Sequence, residues 1–425
     1  MLLLKNIKSL VGIDESGKLW RAGKDMADVT CIDDAWLLIE GERIKDYGSM
    51  EELENNAHVN SADELIELDV PGRMVFPSFC DSHTHIVFAG SREIEYVDKI
   101  KGLSYEEIAK HGGGILNSAK LLHNTSEADL YEQSMCRVDE IMMQGTGAVE
   151  IKSGYGLNPE DELKMLRVIR RIKDASPIAV KSTFLGAHAV PAEYKGRQSD
   201  YVDMVINEMI PVVAAENLAD YIDVFCDKGF FTVEETDRIL MAGMKYGLKP
   251  KIHANELAKS GGIQVGVKYD ALSVDHIEYT EQAEMQVLKE SGTMPTVLPG
   301  AAFFLNMPYA PAREMIDYGL PVAFASDYNP GSSPTGNMKL MTSFACVNYR
   351  LTPDEVLNAT TINTAYAMGL SEQYGSITRG KQANVYLTKE IPSRHFMPYA
   401  YGSDLIDTVI LNGKIIEKSR FLQSI

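Results

Sequence analysis

Two histidines one residue apart stand in Asp81-Ser-His83-Thr-His85. In extended chain, side chains at i and i+2 project to the same side, so both imidazoles can address one point. That is the arrangement a metal ion needs, although an isolated His-x-His also arises by chance and on surfaces. Three further stretches raise its weight. Lys251-Ile-His253-Ala-Asn-Glu256, Ser273-Val-Asp275-His276-Ile-Glu278 and Ala323-Phe-Ala-Ser-Asp327 each carry an apolar run into a histidine or an aspartate. Imidazole nitrogens with one carboxylate suit a borderline ion such as zinc or iron, and no cysteine pattern points to a closed structural zinc site. We expect one divalent or trivalent metal ion, zinc or iron, on His83, His85, His253 and Asp327. Water on such an ion loses its proton near neutral pH and becomes a nucleophile. The proton still needs a carrier, and Glu256 and His276 are placed for that role. Glu256 equally suits a helix N-terminus, where an acid meets the macrodipole, and the two readings are compatible.

These residues serve one site only if a fold delivers them to one rim. Short runs rich in Val, Ile, Phe and Ala alternate with longer amphipathic stretches, the pattern of strand–helix units in a parallel sheet. The runs at 74–79, 148–152, 178–185, 221–226, 250–253, 271–275, 293–298 and 321–325 make eight strands. Eight strands, each followed by a helix, predict a (β/α)8 barrel of the TIM type, which carries its chemistry on the loops after the strands. His83, His85, His188, His253 and His276 then fall at strand ends, whereas His58, His111, His123 and His395 do not and read as surface or structural. Helix signals fit the same plan: Asn158-Pro159 opens one helix, Thr232-Val-Glu-Glu235 another that stops at Gly247, and Thr352-Pro353-Asp-Glu355 a third.

The two ends differ from the middle. Residues 1–73 and 371–425 hold short β-like runs punctuated by Gly and Asp, with Asn412-Gly413 as a hairpin signal. Neither piece is large enough for a good core alone, so both ends are expected to form one small composite β-domain beside a barrel at 74–370.

Composition narrows the partners. Of 425 residues, 41 are Lys or Arg and 60 are Asp or Glu, a net charge of −19. That balance argues against nucleic acid and anionic lipid as partners, since both want basic patches. An anionic ligand would need a local Arg or Lys. Five scattered cysteines without a C-x-x-C pair fit a reducing compartment. Residues 1–5 make no secretory h-region, and the longest charge-free stretch, 291–312, holds four prolines. The expectation is a cytoplasmic protein without a membrane span.

With these positions in place, the chain resembles the amidohydrolase superfamily in its mononuclear-metal, deaminase-like branch. More narrowly it resembles the imidazolonepropionase family. The stretches that carry the likeness are Asp81–His85 running on to Val87-Phe-Ala-Gly-Ser-Arg92, Ser104-Tyr-Glu-Glu-Ile-Ala109 and Gly112-Gly-Gly-Ile115. They continue with Glu150-Ile-Lys-Ser-Gly-Tyr-Gly-Leu157, Thr183-Phe-Leu-Gly-Ala-His188, Val224-Phe-Cys226, Leu298-Pro-Gly-Ala301 and Ser326-Asp-Tyr-Asn-Pro-Gly-Ser332. Two departures are Asp98-Lys-Ile-Lys101, where more basic character is usual, and Ser273-Val-Asp-His276, where small alanines are usual.

The resemblance implies hydrolytic ring opening of 4-imidazolone-5-propanoate, a small anionic heterocycle, to N-formimidoyl-L-glutamate in histidine degradation. It implies His83, His85, His253 and Asp327 as metal ligands, and Glu256 and His276 as the groups that activate water and move its proton. Arg92, Tyr155, His188 and Glu256 would grip the substrate, while Asn329, Gly331 and Ser332 would hold a carboxylate end. A homodimer is the family expectation. Arg92 offers a planar fork that matches a carboxylate, and Asn329-Pro330-Gly331 lets backbone N–H groups approach a ligand closely. A deaminase of the guanine or cytosine type shares the metal and proton groups, but a neutral base needs no carboxylate clamp. A dinuclear centre would need a bridging lysine. Lys152 ends strand two instead, where an ion pair with Glu150 or another acid is the plainer reading. A barrel that binds without catalysis would not need the whole ligand set with Glu256 and His276. Gly112-Gly-Gly114 reads as a loop over the site, Glu51-Glu52 and Glu106-Glu107 as solvated faces, and Cys80 as a buried small residue.

Overall fold

The computed structural model describes residues 1–62, 64–103 and 113–417. Ser104–Ala109, His111 and Gly112, singled out above, lie outside the described residues.

Seventeen described strands form two sheets. The first sheet contains β1 (Leu2–Ile13), β2 (Thr30–Glu40), β3 (Arg43–Ser49), β4 (Ile66–Asp69), β5 (Met74–Pro77), β15 (Val385–Thr388), β16 (Ile406–Leu411) and β17 (Lys414–Ile415). Its order is β17-β16-β15-β5-β1-β2-β3, with β4 beside β1. The two chain ends therefore meet across β5, which pairs parallel with β1 and antiparallel with β15. Leu4, Ile7 and Leu10 from one end pack with Val385, Leu387 and Ile410 from the other in one apolar cluster. The Asn412-Gly413 hairpin joins β16 to β17, and both turn residues have the positive φ that such two-residue turns require.

The second sheet is the barrel: β6 (Phe79–Thr84), β7 (Thr146–Lys152), β8 (Ala179–Ala187), β9 (Tyr221–Cys226), β10 (Lys249–Pro250), β11 (Ile252–Ala254), β12 (Ser273–His276), β13 (Met294–Val297) and β14 (Ala323–Phe324). All pairings are parallel, and β10 and β11 are one strand interrupted at Lys251. Strands β6, β7 and β9 are buried along their whole length, as expected for parallel strands covered on both faces. The barrel closes where Asp327 N–H donates to His83 O and His85 N–H to Tyr328 O, both at 2.9 Å.

One expectation needs correction. The run at 74–79 is two strands, and its first part, β5, belongs to the terminal sheet. Ser78 is the crossover: its N–H donates to Asn384 O of the terminal domain, while Phe79 N–H donates to Gly145 O at the start of β7. Apolar patterning is continuous through both partners, so it could not mark the change of sheet. His83 consequently lies on the first barrel strand rather than after it, with His85 one residue beyond its end.

The helices start where the sequence signals them. Asn158 caps Pro159–Ala175 by accepting from Asp161 N–H, and Leu166, Ile169 and Ile172 face the core. Capping boxes at Thr232 and Thr352 open Val233–Lys245 and Pro353–Thr360. Among the described residues, no helix is long and apolar enough to cross a membrane.

Candidate metal and substrate site

His83, His85 and His253 project one ring nitrogen each into a common point, with these atoms within 4.8 Å of one another and all three side chains buried. Asp327, at φ +54 just after β14, brings Oδ1 to 3.5 Å from His83 Nε2 and 3.7 Å from His85 Nε2. The buried Nε2 atoms of His83 and His253 have no hydrogen-bond partner. A buried lone pair without a donor is costly, and a cation satisfies it. Electrostatics agree: burial, then neighbouring positive charge, holds His83 and His85 far below the usual imidazole range, so both rings are neutral and able to ligate. Burial and then Glu256 push Asp327 above the ordinary carboxylate range, a cost that a metal ion would remove. The donor set fits a metal ion.

Behind the ligands lies a fully buried charge network. Asp275 Oδ2 is 2.7 Å from His83 Nδ1, and Asp223 Oδ2 is 3.0 Å from His253 Nδ1. An ionised carboxylate only accepts, so the His83 ring is set with its Nδ1 hydrogen toward Asp275 and Nε2 toward the metal position, while Asp223 stands beside His253 Nδ1 at ion-pair distance. Lys152 donates to Asp223 at 2.8 Å and to Glu150 at 2.6 Å, and Lys251 donates to the other oxygen of Glu150. Burial alone would lower the Lys152 ammonium; Asp223, Glu150 and Asp275 overcome it and keep the group charged. Lys152 is thus the ion-pair partner of Glu150, as the plainer reading had it.

Glu256 and His276 meet beside the cluster, Oε2 to Nε2 at 3.6 Å. Asp227 fixes the loop that carries Glu256 by accepting from Glu256 N–H (2.6 Å) and Leu257 N–H (2.9 Å). Burial and then the Asp227 charge push the Glu256 carboxyl up to about 8. His276 and Ile277 both have positive φ, a strained turn that aims the imidazole across the strand ends.

The expected substrate residues surround this centre. His188 stacks on His85 with centroids 5.1 Å apart, and its Nδ1 hydrogen donates to Gly154 O at 2.9 Å, leaving Nε2 free. Tyr155 lies 5.4 Å from the His188 ring and 5.8 Å from His85. Its loop is held by Glu162, which accepts from the N–H groups of Gly154, Gly156 and Leu157. Arg92 packs against Gly331 so closely that any side chain there would strike its guanidinium. The Gly331 and Ser332 N–H groups do not stand open to a ligand, as the sequence reading supposed. Both donate to Asn329 Oδ1 at 2.8 Å, and Asn329 Nδ2 donates to Ser332 Oγ at 2.7 Å.

Sequence reasoning missed Asp223, Asp275, Lys251, Glu162, Asp227 and Glu278. For Asp223 and Asp275 the available signal was an acid inside a strand that must be buried on both faces, since each such charge needs a partner. Glu278 is buried with both carboxyl oxygens unpartnered, 3.9 Å from His276 Nδ1. Of the remaining described histidines, exposed His123 pairs with buried Asp161, while His58 and His395 are exposed.

Residues 74–416 match the amidohydrolase family. The chain is 54% identical over 415 residues to an imidazolonepropionase of Christiangramia forsetii, covering 98% of this chain and 100% of that protein. Among solved structures, a triazine hydrolase variant superposes with TM-score 0.75 at 14% identity, covering 100% of this chain and 98% of that one. The atrazine chlorohydrolase of Arthrobacter aurescens, complexed with zinc, gives TM-score 0.70 at 14% identity over 98% and 95% of the two chains. The structural likenesses bear on the fold alone; the sequence likeness reaches further. The chain belongs to the amidohydrolase family and, within it, to the imidazolonepropionases.

Proposed function

We propose that the site described above performs the family reaction, hydrolytic ring opening of 4-imidazolone-5-propanoate to N-formimidoyl-L-glutamate, with His83, His85, His253 and Asp327 holding one zinc or iron ion. The observation that carries this reading is the meeting of three buried imidazoles, His83, His85 and His253, with Glu256 and His276 at one end of the barrel. When bound, the ion would acidify a water molecule and polarise the ring carbonyl.

The residues divide the remaining work. Glu256, its carboxyl raised to about 8 by burial and then Asp227, takes a proton from water and passes it to the ring nitrogen as the C–N bond breaks. The water oxygen bonds to the ring carbonyl carbon, and that carbon becomes a second carboxylate. His276, within reach of Glu256, donates to the oxygen on which charge develops. Tyr155 and His188 hold the flat ring, and Arg92 with the 329–332 loop receives the carboxylate end. Imidazole and carboxylate donors suit zinc and iron alike.

Substitution of a ligand tests the assignment. His253→Asn should lose bound metal and turnover together, read by elemental analysis and assay. Full metal content in that variant would remove His253 from the ligand set.

A further inference from the structure

Arg92 is not a free cation. Its Nε donates to Glu95 Oε2 at 2.8 Å and its Nη2 lies 2.6 Å from the same oxygen, with Glu95 buried and Arg92 partly so. Glu95 is fixed in turn by Gly114 N–H at 3.0 Å and Asn117 Nδ2 at 3.1 Å. Against burial, which raises it, Arg92 and these donors hold the Glu95 carboxyl below its ordinary range, so the pair is ionised and neutral overall. A substrate carboxylate arriving beside Gly331 would meet a cation whose charge is already matched. On an acidic protein, that leaves an anionic ligand without a net counter-charge.

Lys99 lies seven residues along from Arg92, two turns of the helix Glu93–Ile100, and therefore on the same face. Its Nζ donates to Gly331 O at 3.0 Å and sits 5.7 Å from the Phe304 ring, which stacks on Tyr96. Arg92 and Lys99 thus converge on one glycine. Among the described residues, Lys99 has no carboxylate within ion-pair distance. Lys152 and Lys251, buried deeper in the barrel, are both committed to Glu150.

We propose that Lys99 is a specificity-determining residue, the second cation of the substrate-carboxylate subsite, supplying the charge that Arg92 has given to Glu95. The inference rests on the reading of Arg92 and Gly331 as the carboxylate end. Burial and then the like charge of Arg92 lower the Lys99 ammonium, more than Glu95 raises it, so an incoming carboxylate relieves repulsion as well as accepting a hydrogen bond.

The experiment compares the propanoate substrate with its uncharged propanamide analogue in wild type, Lys99→Met, Lys99→Arg and Arg92→Gln. Lys99→Met should raise KM for the propanoate about 10- to 100-fold, the size of one charge-assisted hydrogen bond. Its kcat should stay within about threefold, and its kcat/KM for the propanamide within about twofold. Lys99→Arg should recover most of the loss. An unchanged KM in Lys99→Met overturns the proposal. So does an equal loss on the propanamide, which would mark Lys99 as a mere prop for the Gly331 carbonyl. If Arg92→Gln abolishes the preference for propanoate while Lys99→Met keeps it, only Lys99 is misassigned. If neither variant changes the preference, the carboxylate end itself is misplaced and both readings fall.

Discussion

Asp275 and His83, 192 residues apart in sequence, are joined through Oδ2 and Nδ1 at 2.7 Å with both side chains fully buried. The contact fixes the ring and its tautomer, so Nε2 faces Asp327 rather than the strand below. Asp223 Oδ2 lies 3.0 Å from His253 Nδ1, an ion-pair approach without the hydrogen bond that His83 makes. The proposed metal position is therefore backed by two carboxylates on β9 and β12, the strands that flank β11 and its His253.

Removing that support should weaken metal binding without touching a ligand. Asp275→Ala is expected to lower metal affinity about 10- to 100-fold, the usual effect of losing an orienting carboxylate. Competition with a chromophoric chelator measures it, and unaltered affinity would mean that packing alone orients His83.

Lys152 holds the two orienting acids together with Glu150. Lys152→Met leaves buried carboxylates without their counter-charge, which should cost about 3–5 kcal/mol of folding stability. Urea denaturation decides this; a change below about 1 kcal/mol would show that Lys251 suffices.

Glu256→Gln keeps shape and removes the proposed base. Turnover should fall about 10²- to 10⁴-fold while metal content stays at the wild-type level. Substantial retained turnover would assign the proton transfer elsewhere, with His276 the nearest group.

The same residue links stability to pH. Burial and then Asp227 raise Glu256 to about 8 in the folded chain, above its ordinary value. The folded protein therefore keeps this proton where the unfolded chain has released it. The group's stabilising contribution is whole at acidic pH, below the unfolded value, and is lost as pH rises through about 8. In chelator-treated protein, the Tm of Glu256→Gln should accordingly climb relative to wild type between about pH 5 and about pH 9. A difference that does not vary with pH would contradict the raised carboxyl.

Much of this arrangement is legible in the sequence. His83, His85, His253, His276 and Asp327 stand at or beside the C-terminal ends of apolar runs, and parallel strands bring such ends to one rim. Most strand ends differ from the sequence reading by one or two residues, and the one error of sheet arises where identity depends on a distant partner. Ser78 shows this best, because Asn384 on one side and Gly145 on the other decide which sheet each neighbour joins. The Glu150–Lys152–Lys251–Asp223–Asp275 network was hidden for a related reason. A single charged residue in a strand declares that it needs a partner, but not which of several strands will provide it. The 329–332 loop was misread locally. Asn329 folds its own side chain onto the following N–H groups, a turn that short polar residues make readily and that leaves those donors occupied.

The most direct test of the account is turnover of freshly prepared 4-imidazolone-5-propanoate by metal-quantified protein, with the product identified by mass spectrometry. Formation of N-formimidoyl-L-glutamate that stops when the metal is stripped and returns when it is restored is the predicted result. No product from protein carrying about one metal ion per chain, or equal turnover after stripping, would contradict it.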